Sequence, residues 1–233
     1  MGIKYGIAFY SGGKDSHYAI IKALMDGIVV KYILTVNPQR IDSWMFHAVN
    51  TKWVKLHSRA MSLPIIELRV SGLKEIELNE LRSQIKDYID MLKHSNIEYL
   101  VSGAVASRYQ KERLDALAEE LELKHYTPLW GLNPLKVLNE ELDTLSFIFV
   151  AIQAYGLNPS LLGKVVSKDD LTLMEKYYKD LGVNPIGEGG EFETFVIKSP
   201  LFRGKGISIR KAELVWNPYQ WSGYYVILDA SLI

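Results

Sequence analysis

Tyr5-Gly6-Ile7-Ala8-Phe9-Tyr10 runs directly into Ser11-Gly12-Gly13-Lys14-Asp15-Ser16, and His17 to Leu24 follows with helical spacing. An apolar β-prone run, two adjacent glycines and a helix start make a strand–loop–helix unit that can cradle a phosphate. Gly12 and Gly13 let the backbone approach an anion closely. The first helical turn then aims N–H groups and a positive dipole end at it. Ser11 and Ser16 supply hydroxyl donors, Lys14 a point charge, and Asp15 a carboxylate that could orient magnesium. The competing reading is a glycine-rich turn that binds nothing.

Outward from this unit, strands and helices alternate, the pattern of a parallel sheet covered by helices. Val29 to Val36 is a β-branched run ending near Asn37-Pro38. Helical spacing follows from about Ser43 to Met61, with Phe46, Val49, Trp53, Leu56 and Ala60 on one face. Ile65 to Val70 predicts a third strand, Leu73 to His94 a helix, and Tyr99 to Val101 a fourth strand. Ser107 caps a helix whose inner stripe is Leu114, Leu117 and Leu121. His125 to Trp130 is predicted as a fifth strand, ended by Gly131.

Beyond Gly131 the pattern changes. Pro134 to Leu142 reads as a helix and Leu145 to Ile152 as a strand. Ser167 with Asp170 starts a helix in capping-box fashion, and Gly182 closes it after Leu181. The chain from Phe192 is strand-rich, with Gly206 to Trp216 and Tyr224 to Asp229 as further strands. The expected fold is therefore α/β: a Rossmann-like (HUP-type) parallel sheet sandwiched by helices over residues 1–131. A smaller α+β C-terminal domain, expected to bind substrate, covers residues 132–233.

Composition narrows the function. The 233 residues suffice for one large or two modest domains, and 48% apolar with 23% charged residues is ordinary for a globular chain. A net charge of zero gives no long-range steering toward nucleic acid, so none is expected as a partner. The first strand arrives too soon after Met1 for a signal peptide, and no run of about 18 apolar residues spans a membrane. A cytoplasmic address is expected. The chain has no cysteine, which excludes disulfides, thiolate-bound zinc and thiolate mechanisms. Trp216, Tyr219, Trp221, Tyr224 and Tyr225 in the tail suit a core or an interface between two copies, so a homodimer stays possible.

Ligands of an open parallel sheet sit beyond the carboxyl ends of its strands, and that rule selects further candidates. The backbone around Leu34, near the end of the second strand, could read an adenine edge, and His47 could contact phosphate or ribose. After the fourth strand, Gly103 permits close approach and Ser107 starts a helix aimed at the same cleft. Tyr109, Gln110 and Arg113 share one side of that helix, where Arg113 could hold pyrophosphate or an adenylated intermediate. A solvated charged face is the bland alternative. Late in the chain comes Gly187-Glu188-Gly189-Gly190-Glu191-Phe192-Glu193-Thr194. If extended, it presents Glu191 and Glu193 on one face. Carboxylates so close together repel unless a metal, an ammonium ion or a cationic substrate group offsets them.

Ser11 to Ser16 lacks the glycine spacing of a Walker loop and resembles the PP-loop, SGGxDS, of the ATP pyrophosphatases, which split ATP between its α and β phosphates. In order, SGGKDS, GAVASRYQKER, TPLW and GEGGEFET resemble the diphthine–ammonia ligase (diphthamide synthase) family across essentially the whole chain. The additional domains of longer eukaryotic relatives are not in this sequence. The resemblance implies that ATP, with Mg2+, adenylates the carboxylate of diphthine on translation elongation factor 2, and that ammonia displaces AMP. On that reading Lys14, Asp15, Arg113, Glu191 and Glu193 are the catalytic candidates, and Asp15 the metal ligand. Ser11, Gly12, Gly13, Lys14, Asp15, Ser16, Leu34, His47, Gly103, Ser107, Tyr109 and Gln110 would hold ATP. Trp130, Glu188, Gly189, Gly190, Glu191, Glu193 and Thr194 would face the substrate. Two rivals stay open: a PP-loop adenylating enzyme acting on a small acid or tRNA, and a module that binds ATP or AMP without turnover.

Overall fold

In the computed structural model, which describes residues 2–38, 50–71 and 76–233, the first half forms five parallel strands. These are β1 (Lys4–Phe9), β2 (Ile28–Pro38), β3 (Ile65–Val70), β4 (Tyr99–Val101) and β5 (Lys124–Tyr126), in the order β3-β2-β1-β4-β5. The chain leaves β1 toward one edge through β2 and returns to its other side at β4. This reversal is a topological switch point, where a crevice opens beyond the strand ends.

Strand alternation explains the helical sandwich. Ala8 and Ile33 point into a core with Tyr18, Ala19 and Ile20 of α1 (Lys14–Met25) and Val54 and Ala60 of α2 (Val54–Met61). Their neighbours Ile7 and Leu34 point the other way. There they meet Leu81 and Ile85 of α3 (Ile76–Ile85), Leu92 of α4 (Ile89–His94) and Leu114 and Leu117 of α5 (Arg108–Glu120). The helix predicted over Leu73–His94 is thus two helices, divided by a 3-10 turn at Lys86–Tyr88. The predicted fifth strand also stops early, at Tyr126. Pro128 has no N–H for a ladder, and Trp130 N–H closes a turn on Thr127 O at 3.2 Å.

The second half builds on α6 (Pro134–Thr144), β6 (Ser146–Ile152), α7 (Asp169–Leu181), β7 (Phe192–Lys198), β8 (Ile207–Asn217) and β9 (Ser222–Leu232). Its strands pair antiparallel in the order β7-β6-β9-β8. Local signals read from sequence operate here. The Asp170 carboxylate takes Ser167 N–H and O–H, both at 2.9 Å, and Gly182 ends α7 at φ +69°. Trp216 and Trp221 pack on each other, whereas Tyr219 is fully exposed. The apolar interior of this unit, including Phe147, Phe149 and Phe195, is continuous with the α1–α2 side of the first sheet. Among the described residues no helix is long and apolar enough to cross a membrane.

Candidate active site

The phosphate loop lies where the sequence puts it, between β1 and α1, and both units hold it. Gly12 adopts φ +87°, and a Cβ there would meet Val54 at 3.0 Å and the His57 ring at 3.2 Å. Its carbonyl accepts Val196 N–H of β7 at 3.0 Å. Lys14 N–H, in the first turn of α1, donates to Thr194 Oγ1 at 3.1 Å, a residue 180 positions later. The loop opens onto a cleft lined by Phe9, Ser11, Gly13, Asp15 and Ser16, by Val36 of β2, and by Ser102 to Val105 and Gln110 beyond β4. The facing wall comes from Gly187, Glu188, Phe192, Glu193 and Thr194.

Several predicted residues sit elsewhere. The Lys14 ammonium is buried away from the cleft, 2.6 Å from Asp15 Oδ1, 3.2 Å from Glu141 Oε2 of α6 and 3.0 Å from Ile186 O. Burial alone would lower its pKa, but Asp15 and Glu141 more than offset that and raise it. Burial, and then the nearby Asp15 carboxylate, push Glu141 well above the usual glutamate range. Lys14 therefore braces the loop from beneath, while Asp15 still reaches the cleft. Leu34 is fully buried with its carbonyl taken by Tyr10 N–H, and Val36 is the β2 residue at the cleft. Trp130 lies in the turn after β5, with Lys111 Nζ 5.6 Å from its ring, and is not among the cleft residues. His47 falls outside the described residues.

Beyond β4 the prediction divides. Gln110 lines the cleft, and Ser107 caps α5 by accepting Gln110 N–H at 3.4 Å. Arg113 stacks on Tyr109, its guanidinium carbon 3.4 Å from the ring centroid, so this pair braces the helix beside the cleft. Gly103 does approach a backbone closely, but that backbone is the first turn of α1.

The three carboxylates of the late motif also part ways. Glu191 precedes β7 and turns back to accept Asn184 N–H at 3.0 Å, so Glu191 and Glu193 do not form an extended pair. Consecutive turns, Gly187 N–H to Asn184 O and Gly190 N–H to Gly187 O, carry Gly189 and Gly190 and bend the chain that way. Glu193 faces the cleft. Glu188 reaches across it and accepts Val105 N–H and Ala106 N–H, tying the late loop to the β4 loop.

Two polar chains escaped the sequence reading. In the first, Ser102 Oγ lies 2.8 Å from His125 Nε2, and His125 Nδ1 lies 2.6 Å from Asp115 Oδ1. An N–H facing the carboxylate leaves Nε2 as acceptor of the Ser102 hydrogen. The second is fully buried behind the loop: Tyr10 Oη is 2.7 Å from His17 Nδ1 and 3.0 Å from His57 Nδ1. His57 Nε2 donates to Val196 O at 2.6 Å, so its Nδ1 accepts from Tyr10. Tyr10 then takes the hydrogen of His17 Nδ1, and His17 Nε2, 2.7 Å from Ser199 Oγ, accepts from that hydroxyl. One direction of donation satisfies every member with both rings neutral. No sequence spacing links these positions, because the contacts join residues carried on separate strands, helices and loops.

This chain predicts acid sensitivity. Burial holds His17 well below the ordinary histidine value and lowers His57 to about 4. Between that value and the unfolded value near 6.5 the unfolded state binds more protons, so stability is lost as pH falls through this window. For His57 the loss reaches roughly 3 kcal/mol by about pH 4. Melting curves across this range should fall more steeply for the wild type than for His57→Gln, whose amide keeps one donor and one acceptor. Equal slopes would reject the neutral-ring assignment.

With this geometry in place, the comparisons with known proteins converge. The diphthamide synthase N-terminal domain matches residues 4–125 and the diphthamide synthase C-terminal domain residues 133–233. A diphthine–ammonia ligase of Mus musculus is 30% identical over 228 residues, covering 90% of this chain and 84% of its own. One from Danio rerio is 30% identical over 216 residues, covering 85% and 84%. That of Schizosaccharomyces pombe is 28% identical over 226 residues, covering 90% of this chain but 36% of its own, so the same core also occurs within a longer protein.

Proposed function

Because the chain belongs to the diphthamide synthase family, we propose that it is an ATP-dependent amide ligase that converts diphthine on translation elongation factor 2 to diphthamide. One observation supports this most: the phosphate loop and the acidic wall of the second unit face each other across a single cleft. Such an enzyme must bring a carboxylate to the α-phosphorus of ATP and hold the departing pyrophosphate. Gly13 and the start of α1 would hold the phosphates. The substrate carboxylate oxygen bonds to the α-phosphorus as the bond to pyrophosphate breaks. Ammonia then attacks the carbonyl carbon of the acyl-adenylate, AMP leaves, and the added nitrogen sheds its surplus proton.

Diphthine also carries a quaternary ammonium. Glu193, on the cleft wall, offers the carboxylate that such a cation favours. Magnesium fits a modest donor set. No group of three or more acidic, histidine or cysteine side chains exists among the described residues, yet one carboxylate plus phosphate oxygens is an ordinary magnesium environment. Asp15 would hold the ion, which would neutralise charge on the phosphates. Acting on a translation factor places the enzyme in the cytoplasm.

Purified protein should yield AMP and pyrophosphate from ATP only when diphthine-bearing elongation factor and ammonium are both supplied, with amide formed in equal amount. A nucleotide-binding module would release no pyrophosphate. An enzyme for another acid would exchange pyrophosphate with that acid and ignore the elongation factor.

A further inference from the structure

We infer that Thr194, from the second unit, completes the phosphate cradle by donating its hydroxyl hydrogen to the pyrophosphate half of bound ATP. The inference rests on the proposal that this cleft binds ATP. Its basis is a count of hydrogens around the start of α1. The residue preceding the helix, Gly13, has no side chain with which to cap it, and Lys14 N–H goes instead to Thr194 Oγ1 at 3.1 Å. Gly13 packs directly on that residue, since a Cβ at Gly13 would stand 3.4 Å from Thr194 O and Oγ1.

The loop's own hydroxyls have spent their hydrogens. Ser16 donates to Gly13 O at 3.0 Å. Ser11 Oγ, 3.2 Å from Ser16 Oγ, must then be the donor of that pair, and it accepts Gly13 N–H at 3.3 Å. At the β4 side, the Ser102 hydrogen goes to His125. Thr194 differs. Its oxygen accepts from Lys14, it lines the cleft, and among the described residues no protein acceptor takes its hydrogen. A hydroxyl whose oxygen already accepts is polarised toward donation. An anion drawn to this helix start by its dipole meets that hydrogen. The adjacent residue, Glu193, lies on the same cleft wall, so one strand end would touch both the nucleotide and the substrate side.

The test compares Thr194→Val, which keeps the shape and loses the hydroxyl, with Thr194→Ser, which restores it. Inorganic pyrophosphate and AMP are titrated separately into the full chain by calorimetry. Thr194→Val should weaken pyrophosphate about tenfold or more, the usual worth of a hydrogen bond to a charged group, and leave AMP unchanged. Thr194→Ser should return pyrophosphate to wild-type affinity. Unchanged pyrophosphate binding in Thr194→Val overturns the inference. So does equal weakening of AMP, which would mark a loosened loop, or failure of serine to rescue. If the wild type binds neither probe, the ATP reading itself falls, and the inference with it.

Discussion

Gly103→Ala is expected to abolish ATP-dependent turnover and to lower the melting temperature by roughly 6–12 °C. A Cβ at this position would lie 2.5 Å from Asp15 C and 2.6 Å from both Asp15 O and Ser16 N. These are backbone atoms in the first turn of α1, so no side chain can swing aside. Either the β4 loop or the phosphate loop must move. Overpacking costs about 1–3 kcal/mol and more where the neighbours are rigid, which puts this site near or above 3 kcal/mol. Any displacement of the phosphate loop would distort the cradle at the start of α1. Thermal melts and ATP titration decide the matter. A variant that melts with the wild type and binds ATP normally would show that the two backbones are not in the contact described.

The second large effect is expected at Lys14. Its ammonium is buried between Asp15 and Glu141, and Glu141 is wholly inaccessible. Removing one partner of a buried pair strands the other, typically at a cost of about 3–5 kcal/mol. Lys14→Met should therefore destabilise by that amount, and the deficit should depend on pH in a stated direction. Burial and Asp15 already raise Glu141, so the native state binds more protons than the unfolded one from the ordinary glutamate range upward. Stability carried by that proton is present at low pH and is lost as pH rises through the native value. Without the ammonium the native value rises further, so Lys14→Met should be closest to the wild type in acid and fall behind it toward neutrality. Glu141→Gln added to Lys14→Met should recover much of the neutral-pH loss. Denaturant titrations at two pH values would check both points. A deficit independent of pH and untouched by the second substitution would mean that Lys14 acts through packing alone.

The first sheet was legible because its signals are local. Period-two burial in Ile7 and Ala8, glycines after β1 and a cap at Ser107 each act within a few residues. The phosphate loop was legible for the same reason. The roles of its members were not. Whether a lysine in such a loop faces a ligand or the interior depends on what packs beneath it, here Glu141 from α6 and Ile186 O. Likewise Glu188, Glu191 and Glu193 read alike as an acidic motif. They separate only because turns send Glu191 to Asn184 and because the β4 loop offers Glu188 two N–H groups. The His17–Tyr10–His57 chain was invisible, since histidines in a sequence carry no mark of which tyrosine they will meet.

The shared interior also limits how this chain could be rebuilt. One apolar cluster runs from Ala8 and Ile20 through Val54 to Phe149, Phe195 and Phe202, so the two units share an interior. The family boundary near residue 130 is consequently a seam in sequence with no matching seam in the solid. Recombination that exchanged one half for a foreign counterpart would have to match a buried surface as well as a chain junction. Insertions grafted onto the outer loops face no such demand, and a lineage enlarging this protein would find them the easier places to grow.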